Sequence, residues 1–196
     1  MRLILIRHGK PDELDDTCPH DPGLNAAGHR QAQAVADVLA REALTHIISS
    51  PMQRAWQTAQ PLARATGLAV EVVSGWAEAD RSAARYRSTE TLRAQSPQEW
   101  QRFMTDPIRY LGADPDTFRT EVLSALNAAL TLPLESRVAV FTHGMVINTV
   151  LSHLLGIQSL VHFAPGYGSV TRLGARSRSQ VGVVSVNELG HQELTL

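Results

Sequence analysis

The stretch Leu3-Ile4-Leu5-Ile6-Arg7-His8-Gly9-Lys10-Pro11 decides how the rest of the chain is read. Its apolar run is too short for a helix and rich enough in branched side chains for a buried strand. The run stops at Arg7-His8-Gly9, where Gly9 lets the backbone turn sharply and Pro11 prevents the strand from continuing. A cation, an imidazole and a glycine at the carboxyl end of a buried strand are how an open α/β sheet presents an anion site. Taken alone, such a short ending reads equally as a strand end whose polar residues meet water. The decision therefore falls to the remaining chain.

A second fully apolar run, residues 138–141, ends in the same way at Thr142-His143-Gly144. Between the two runs, Ala32, Val35, Ala36 and Leu39 recur at helical spacing, which predicts a helix over residues 28–42 with Asn25 as its N-cap. Ile47-Ile48 predicts a short strand ending at Ser49-Ser50-Pro51. Ser50 as N-cap and Pro51 at the first helical position predict the next helix, running through Arg54, Trp56, Thr58 and Leu62 to a stop at Gly67. A strand over residues 69–73 then leads to Gly75-Trp76-Ala77-Glu78-Ala79-Asp80. Residues 81–112 break the alternation. Ser96-Pro97-Gln98-Glu99 reads as a capping box there, and the stretch is expected to form a helical lobe over the carboxyl end of the sheet. Asp114-Pro115 starts a helix with Phe118, Val122, Leu126 and Ala129 on one face. Residues 145–155 read as a largely buried helix, and residues 169–173 and 181–186 as a closing antiparallel hairpin across Arg176-Ser177-Arg178-Ser179.

This order predicts one α/β domain over residues 1–196. It is expected to be a three-layer α/β/α sandwich, mostly parallel, with an antiparallel edge and a small helical insert at about 79–112. In a parallel sheet with right-handed crossovers, strand carboxyl ends share one edge, so His8 and His143 are expected to face one crevice. Arg54, in the first turn of a helix that starts at that edge, joins them. Arginines, imidazoles and helix N-termini meeting at one point describe a pocket for a tetrahedral dianion.

Composition narrows the partners. A chain of 196 residues with 43% hydrophobic content can bury one sizeable core. Its 18 basic and 19 acidic residues leave a net charge of −1, which provides no long-range field for nucleic acid or an anionic membrane. Cys18 is the sole cysteine, so no intrachain disulfide forms, and such usage suits a reducing compartment. No apolar run approaches membrane-spanning length, and a core strand beginning at Leu3 leaves no room upstream for a leader. The expectation is a soluble, cytoplasmic protein; the sequence assigns no oligomeric state. The loop over residues 12–23, rich in Asp, Pro and Gly, is expected to be irregular and exposed. Its Cys18, His20 and Asp21 lack a fourth ligand at metal-binding spacing, so no metal is assigned to it. His29, His46, His153, His162 and His191 take structural or surface readings, and Trp56 a core reading. Arg81, Arg85 and Arg87 read either as a solvated face or as a second anion contact.

Several stretches resemble one family. Leu5-Ile6-Arg7-His8-Gly9, Ser50-Pro51-Met52-Gln53-Arg54-Ala55-Trp56-Gln57-Thr58-Ala59 and Thr142-His143-Gly144 are similar to signature blocks of the histidine phosphatase superfamily, the phosphoglycerate mutase-like proteins. So is the segment from Asp21 to Ala32, and the likeness runs in order along most of the chain, weakening over residues 81–132. The resemblance implies that His8 is a nucleophile that becomes a phosphohistidine. It also implies that Arg7, Arg54 and His143 hold the phosphoryl oxygens, and that neither metal nor cofactor is needed. An acidic residue just past the third strand protonates the leaving oxygen in this family, which implies Glu78, with Asp80 as the alternative. The partner implied is a small phosphorylated substrate.

The chain also departs from the family. An acidic residue often follows the glycine, with an asparagine some five residues on, where this chain has Lys10 and Leu14. That loop helps grip substrate in the mutases, and the insert is short for a mutase, so both points favour hydrolysis. A phosphomonoesterase is the leading reading. A phosphoglycerate mutase and a non-catalytic regulatory protein that binds a phosphorylated ligand stand beside it.

Overall fold

The computed structural model describes residues 1–192. Its centre is a six-stranded sheet in the order β3-β2-β4-β1-β5-β6, built from β1 (Arg2–Arg7), β2 (His46–Ser49), β3 (Val70–Val72), β4 (Arg137–Thr142), β5 (Val170–Ser177) and β6 (Gln180–Glu188). β1 and β4 are parallel neighbours, as are β2 and β4, and β2 and β3. β5 runs antiparallel to β1 and β6 antiparallel to β5, so the antiparallel edge is two strands wide.

The helices are α1 (Ala26–Leu39), α2 (Gln53–Thr66), α3 (Thr89–Gln95), α4 (Pro97–Thr105), α5 (Pro107–Tyr110), α6 (Pro115–Ala129) and α7 (Gly144–Leu155). Strand alternation sorts them into layers. Ile4, Ile6, Ile47, Ala139 and Phe141 point to one face and meet Val35, Ala36 and Leu39 of α1 and Ala59 and Leu62 of α2. Leu3, Leu5, Ile48, Val138 and Val140 point to the other and meet α6 and α7. Because β1 and β4 bury both faces, they read as continuous apolar runs. Each fully buried aliphatic side chain contributes about 1.5–3 kcal/mol, so the sheet centre is the strongest part of the fold.

Local signals set most boundaries. Asn25 Oδ1 accepts from Gly28 N–H at 2.9 Å and caps α1, which begins at Ala26, two residues earlier than the apolar periodicity. Ser96 and Asp114 cap α4 and α6, each followed by proline. Gly67 ends α2 at φ 72. Two expectations are corrected. α2 starts at Gln53 rather than Pro51, and its N-cap position, Met52, makes no side-chain cap bond. The Asp21 carboxylate takes the Gln53 N–H instead, at 3.0 and 3.1 Å, so the cap comes from a loop distant in sequence. Trp56 is 43% exposed, because the buried stripe of α2 runs through Arg54, Ala55, Thr58, Ala59 and Leu62. Trp76, in a 3-10 turn at Ser74–Trp76, is the tryptophan that fills the core.

Residues 81–112 carry α3, α4 and α5 and no strand. They reach back to the acidic loop, where Tyr86 N–H donates to the Pro19 carbonyl at 2.7 Å. Glu13 accepts from Ser88 N–H and from Thr91 Oγ.

The turn after β1 depends on a close backbone crossing. A Cβ on Gly28 would lie 2.1 Å from the Lys10 carbonyl oxygen, and one on Gly9 2.6 Å from the Gly28 carbonyl oxygen. Backbone on both sides cannot move aside. Gly28→Ala is expected to lower stability by about 1–3 kcal/mol or more through overpacking. Gly182→Ala, in β6 where an added Cβ meets nothing within 4 Å, is expected to be near neutral or slightly stabilising. Urea midpoints of the two variants measure the difference.

Candidate active site

The β1–β4 register pairs Arg7 with Thr142, so the next residues, His8 and His143, leave the sheet side by side. Their ring centroids are 5.0 Å apart, and both side chains are buried. Backbone bonds fix this turn. His8 N–H donates to the Thr142 carbonyl at 2.9 Å, and Gly9 N–H donates to Thr58 Oγ on α2 at 2.9 Å. His8 Nδ1 lies 2.8 Å from the Gly9 carbonyl oxygen, which requires the ring proton on Nδ1 and leaves a lone pair on Nε2. His143 Nε2 lies 2.7 Å from Ser50 Oγ, which itself accepts from Met52 N–H. Where the Ser50 hydroxyl gives its own proton to Nε2, the His143 ring proton lies on Nδ1. Burial, then the charges of Arg54 and Arg7, hold the His8 pKa well below its usual value. His143 is lowered in the same way by burial, Arg54, His8 and Arg7, so both rings are neutral near pH 7.

Two guanidiniums flank the rings. Arg54 is fully buried, with one terminal nitrogen 2.8 Å from Asp80 and the other 3.5 Å from Asp21, and its guanidinium lies over the Tyr86 ring at 4.5 Å. Arg7 donates to Glu90 at 2.8 Å and to the Pro165 carbonyl at 2.6 Å, and lies over the Tyr167 ring at 4.1 Å. In both arginines the outer edge is held by carboxylates. The Nε atoms of Arg7 and Arg54 and Nδ1 of His143 are buried with no hydrogen-bond partner among the described residues. Such atoms are rare in folded proteins, and three of them here suit a ligand rich in acceptor oxygens.

Glu78 and Asp80 both line this cavity, in different states. Asp80 is ion-paired with Arg54. Glu78 makes no ion pair among the described residues; its two oxygens accept from Ala79 N–H at 3.0 Å and from Met145 N–H, at the start of α7, at 2.9 Å. Burial and the neighbouring Asp80 raise its pKa to about 7, against the pull of those N–H groups and of Arg54.

The structure thus brings Arg7, His8, Arg54, Glu78 and His143 together. Of the three ambiguous arginines, Arg81 pairs with Glu121 at 2.7 Å and Arg85 with Asp16 at 2.6 Å, while Arg87 lines the cavity. Sequence reading missed Asp21, Ser50, Tyr86, Glu90 and Tyr167 as parts of the site. Ser50 and Asp21 stand inside the family-like blocks and were legible as polar residues there. Tyr86, Glu90 and Tyr167 lie in stretches without such a pattern and arrive through tertiary packing. Among the described residues, no three His, Cys, Asp or Glu side chains converge to hold a metal ion, and no helix is long and apolar enough to cross a membrane.

A mixed α/β sheet whose two central strands end in Arg7-His8 and Thr142-His143, with Arg54 brought beside them by α2, defines the class. The chain belongs to the histidine phosphatase superfamily (branch 1), whose family model matches residues 3–188. It is 31% identical over 164 residues to a probable phosphoglycerate mutase GpmB of Proteus mirabilis, covering 80% of this chain and 76% of that protein. Among solved structures, Bacillus stearothermophilus YhfR superposes with a TM-score of 0.79 at 20% identity, over 97% of this chain and 98% of the other. Entamoeba histolytica phosphoserine phosphatase, in complex with 3-phosphoglyceric acid, gives 0.76 at 23% identity over 97% and 98%. These likenesses speak for the fold.

Glu78 makes stability depend on pH. Its folded pKa, about 7, lies above the unfolded value of 4.5, so the native state holds the extra proton between them. Its contribution is therefore greatest below the unfolded pKa and is lost as pH rises from 4.5 to about 7, by about 3 kcal/mol. Glu78→Gln cannot titrate. The unfolding free energy of Glu78→Gln relative to the parent is expected to climb across that window and to be flat on either side. Denaturant midpoints of both proteins from pH 4 to about 8.5 measure it; parallel curves would mean that Glu78 titrates normally.

Proposed function

We propose that the protein is a metal-independent phosphomonoesterase that works through a phosphohistidine formed on His8. The observation that carries this reading is the set of three buried, unpartnered N–H groups, on Arg7, Arg54 and His143, around a histidine whose Nδ1 is spent on the Gly9 carbonyl. A buried donor without a partner costs about 1–3 kcal/mol, and a phosphoryl group with three non-bridging oxygens relieves all three at once. The Nε2 lone pair of neutral His8 attacks phosphorus in line; the N–P bond forms as the ester P–O bond breaks. Arg7, Arg54 and the Nδ1–H of His143 hold the non-bridging oxygens as charge shifts toward the leaving oxygen. Glu78, protonated in the raised-pKa state, gives its proton to that oxygen and releases the alcohol. Water then attacks the phosphohistidine while the Glu78 carboxylate takes the water proton. The N–P bond breaks, returning neutral His8 and inorganic phosphate.

Energetics favour Glu78 over Asp80 as the acid. A protonated Asp80 would leave Arg54 buried beside a neutral partner, a loss on the order of 3–5 kcal/mol. Glu78 has no such pair to break.

His8→Ala is expected to keep the fold and to abolish turnover. The parent should yield an acid-labile, base-stable phosphoenzyme on rapid quench, and the variant none. A His8→Ala protein with parental activity would end the covalent route. For the acid, the readout is the leaving group. Glu78→Gln is expected to slow alkyl phosphate hydrolysis on the order of 10²–10⁴-fold and to spare nitrophenyl phosphate, whose leaving group needs no proton. The parent's rate on alkyl phosphates should fall above about pH 7, and that limb should vanish in the variant.

The names of the relatives favour a second reading, a phosphoglycerate mutase, in which the phosphoryl group returns to a second hydroxyl instead of passing to water. Lys10 and Leu14 argue against it, since Lys10 is exposed and the Leu14 side chain is 88% exposed, where the family often grips substrate with polar groups. Incubation with 3-phosphoglycerate beside an alkyl phosphate separates the two: phosphate release from either ester without 2-phosphoglycerate supports hydrolysis, and 2-phosphoglycerate without release supports the mutase.

A further inference from the structure

The phosphate end occupies only one side of a cavity of about 460 Å³. Its other walls are Trp100, Phe103 and Met104 from α4, Leu111 just after α5, and Val161 and Phe163 from the segment between α7 and β5. Trp100 stacks on Phe103 with centroids 5.3 Å apart, which fixes the floor as an aromatic surface.

The neutral polar groups in this half, Asn148 and Thr89, are already occupied. Asn148 spends its amide on the carbonyls of Gly144 and Phe163, at 3.1 and 3.0 Å, and accepts from Phe163 N–H at 3.2 Å. It clamps the Phe163 segment to α7 and offers little to a ligand. Thr89 Oγ donates to Glu90 at 3.1 Å. The rim has mixed charge: Arg87 and Arg93 are exposed, and the Glu90 carboxylate, held by Arg7, stands among them. Neither Arg87 nor Arg93 has an ion-pair partner among the described residues, and Arg93 lies over the Trp100 ring at 5.7 Å. Both are exposed to water, unlike the buried donors of the phosphate end, so their pull on a second carboxylate is screened.

Resting on the phosphomonoesterase reading, we infer that the substrate is the phosphate ester of an apolar alcohol, with a chain or ring carrying no acidic group near the ester. The insert helix α4 and the Phe163 segment form its seat. Phosphoglycerates and phosphoserine, which have no apolar chain or ring to fill these walls, are then the poorer substrates.

The test uses alkylphosphonates, which present the phosphate-like head but have no ester bond to cleave, so binding is read apart from turnover. Calorimetric dissociation constants for methyl- through hexylphosphonate are expected to fall about fourfold per methylene until the cavity is filled. 2-Carboxyethylphosphonate is expected to bind more weakly than propylphosphonate. Met104 is 40% exposed, so Met104→Gln should fold and should flatten the dependence on chain length. Methylphosphonate binding with no gain along the series, or tighter binding of the carboxylated compound, would overturn the apolar seat and leave the phosphate site standing. A rising series in a protein that releases no phosphate from any ester would remove the hydrolase reading and keep the seat.

Discussion

The parallel pairing of β1 with β4, in the register that sets Arg7 beside Thr142, is the constraint on which the rest of the site depends. It puts two strand ends at one level and carries His8 and His143 out of the sheet together. A slip by one residue would turn every side chain of β1 to the opposite face. Both faces are packed, so the slip would exchange Ile4 and Ile6 for Leu3 and Leu5 in two differently shaped cores. The hydrophobic packing therefore enforces the placement of the histidine pair, and the link from burial to the site's geometry is direct. The Gly9–Gly28 crossing adds the last constraint, because the chain can leave β1 only where two backbones come closer than any side chain allows.

Electrostatics then sets the state of each group. Arg7 and Arg54 are buried cations, which the fold tolerates because Glu90, Asp80 and Asp21 compensate them. Those carboxylates grip the terminal nitrogens and leave Nε of each arginine buried without a partner among the described residues. The same cations, together with burial, keep both imidazoles neutral. Glu78 experiences the opposite balance. It lies beside Asp80 and away from any direct cation, and burial raises its proton affinity. One small volume thus holds an unprotonated base and a protonated acid at the same pH, the pattern expected where acid and nucleophile must coexist.

The lobe over residues 81–112 contributes in a different way. Its polar start supplies Tyr86 and Glu90 to the arginines, and its α4 supplies an apolar wall beyond the phosphate end. The histidine–arginine cluster and the apolar wall are therefore built from separate parts of the chain. A change of α4 can alter that wall without disturbing the register that brings the histidines together.

The sequence by itself determined the layered α/β fold, the two histidine-bearing strand ends and the caps at Asn25, Ser96 and Asp114, because these follow from local periodicity and turn chemistry. It also pointed to Arg7, His8, Arg54 and His143 through their family-like blocks, and to Glu78, with Asp80 as the alternative, through its place after the third strand. What only the tertiary structure decided is which groups pair. Asp21 caps α2 and reaches Arg54 across a long sequence separation, and this displaced the local start signal at Ser50-Pro51. Trp56 faces outward and Trp76 inward because helix rotation is set by packing against the sheet, not by residue type. Asp80 and Glu78 are both acidic and two residues apart, and no local pattern distinguishes them. Only the position of Arg54, delivered by another helix, makes one an ion-pair partner and leaves the other a buried acid.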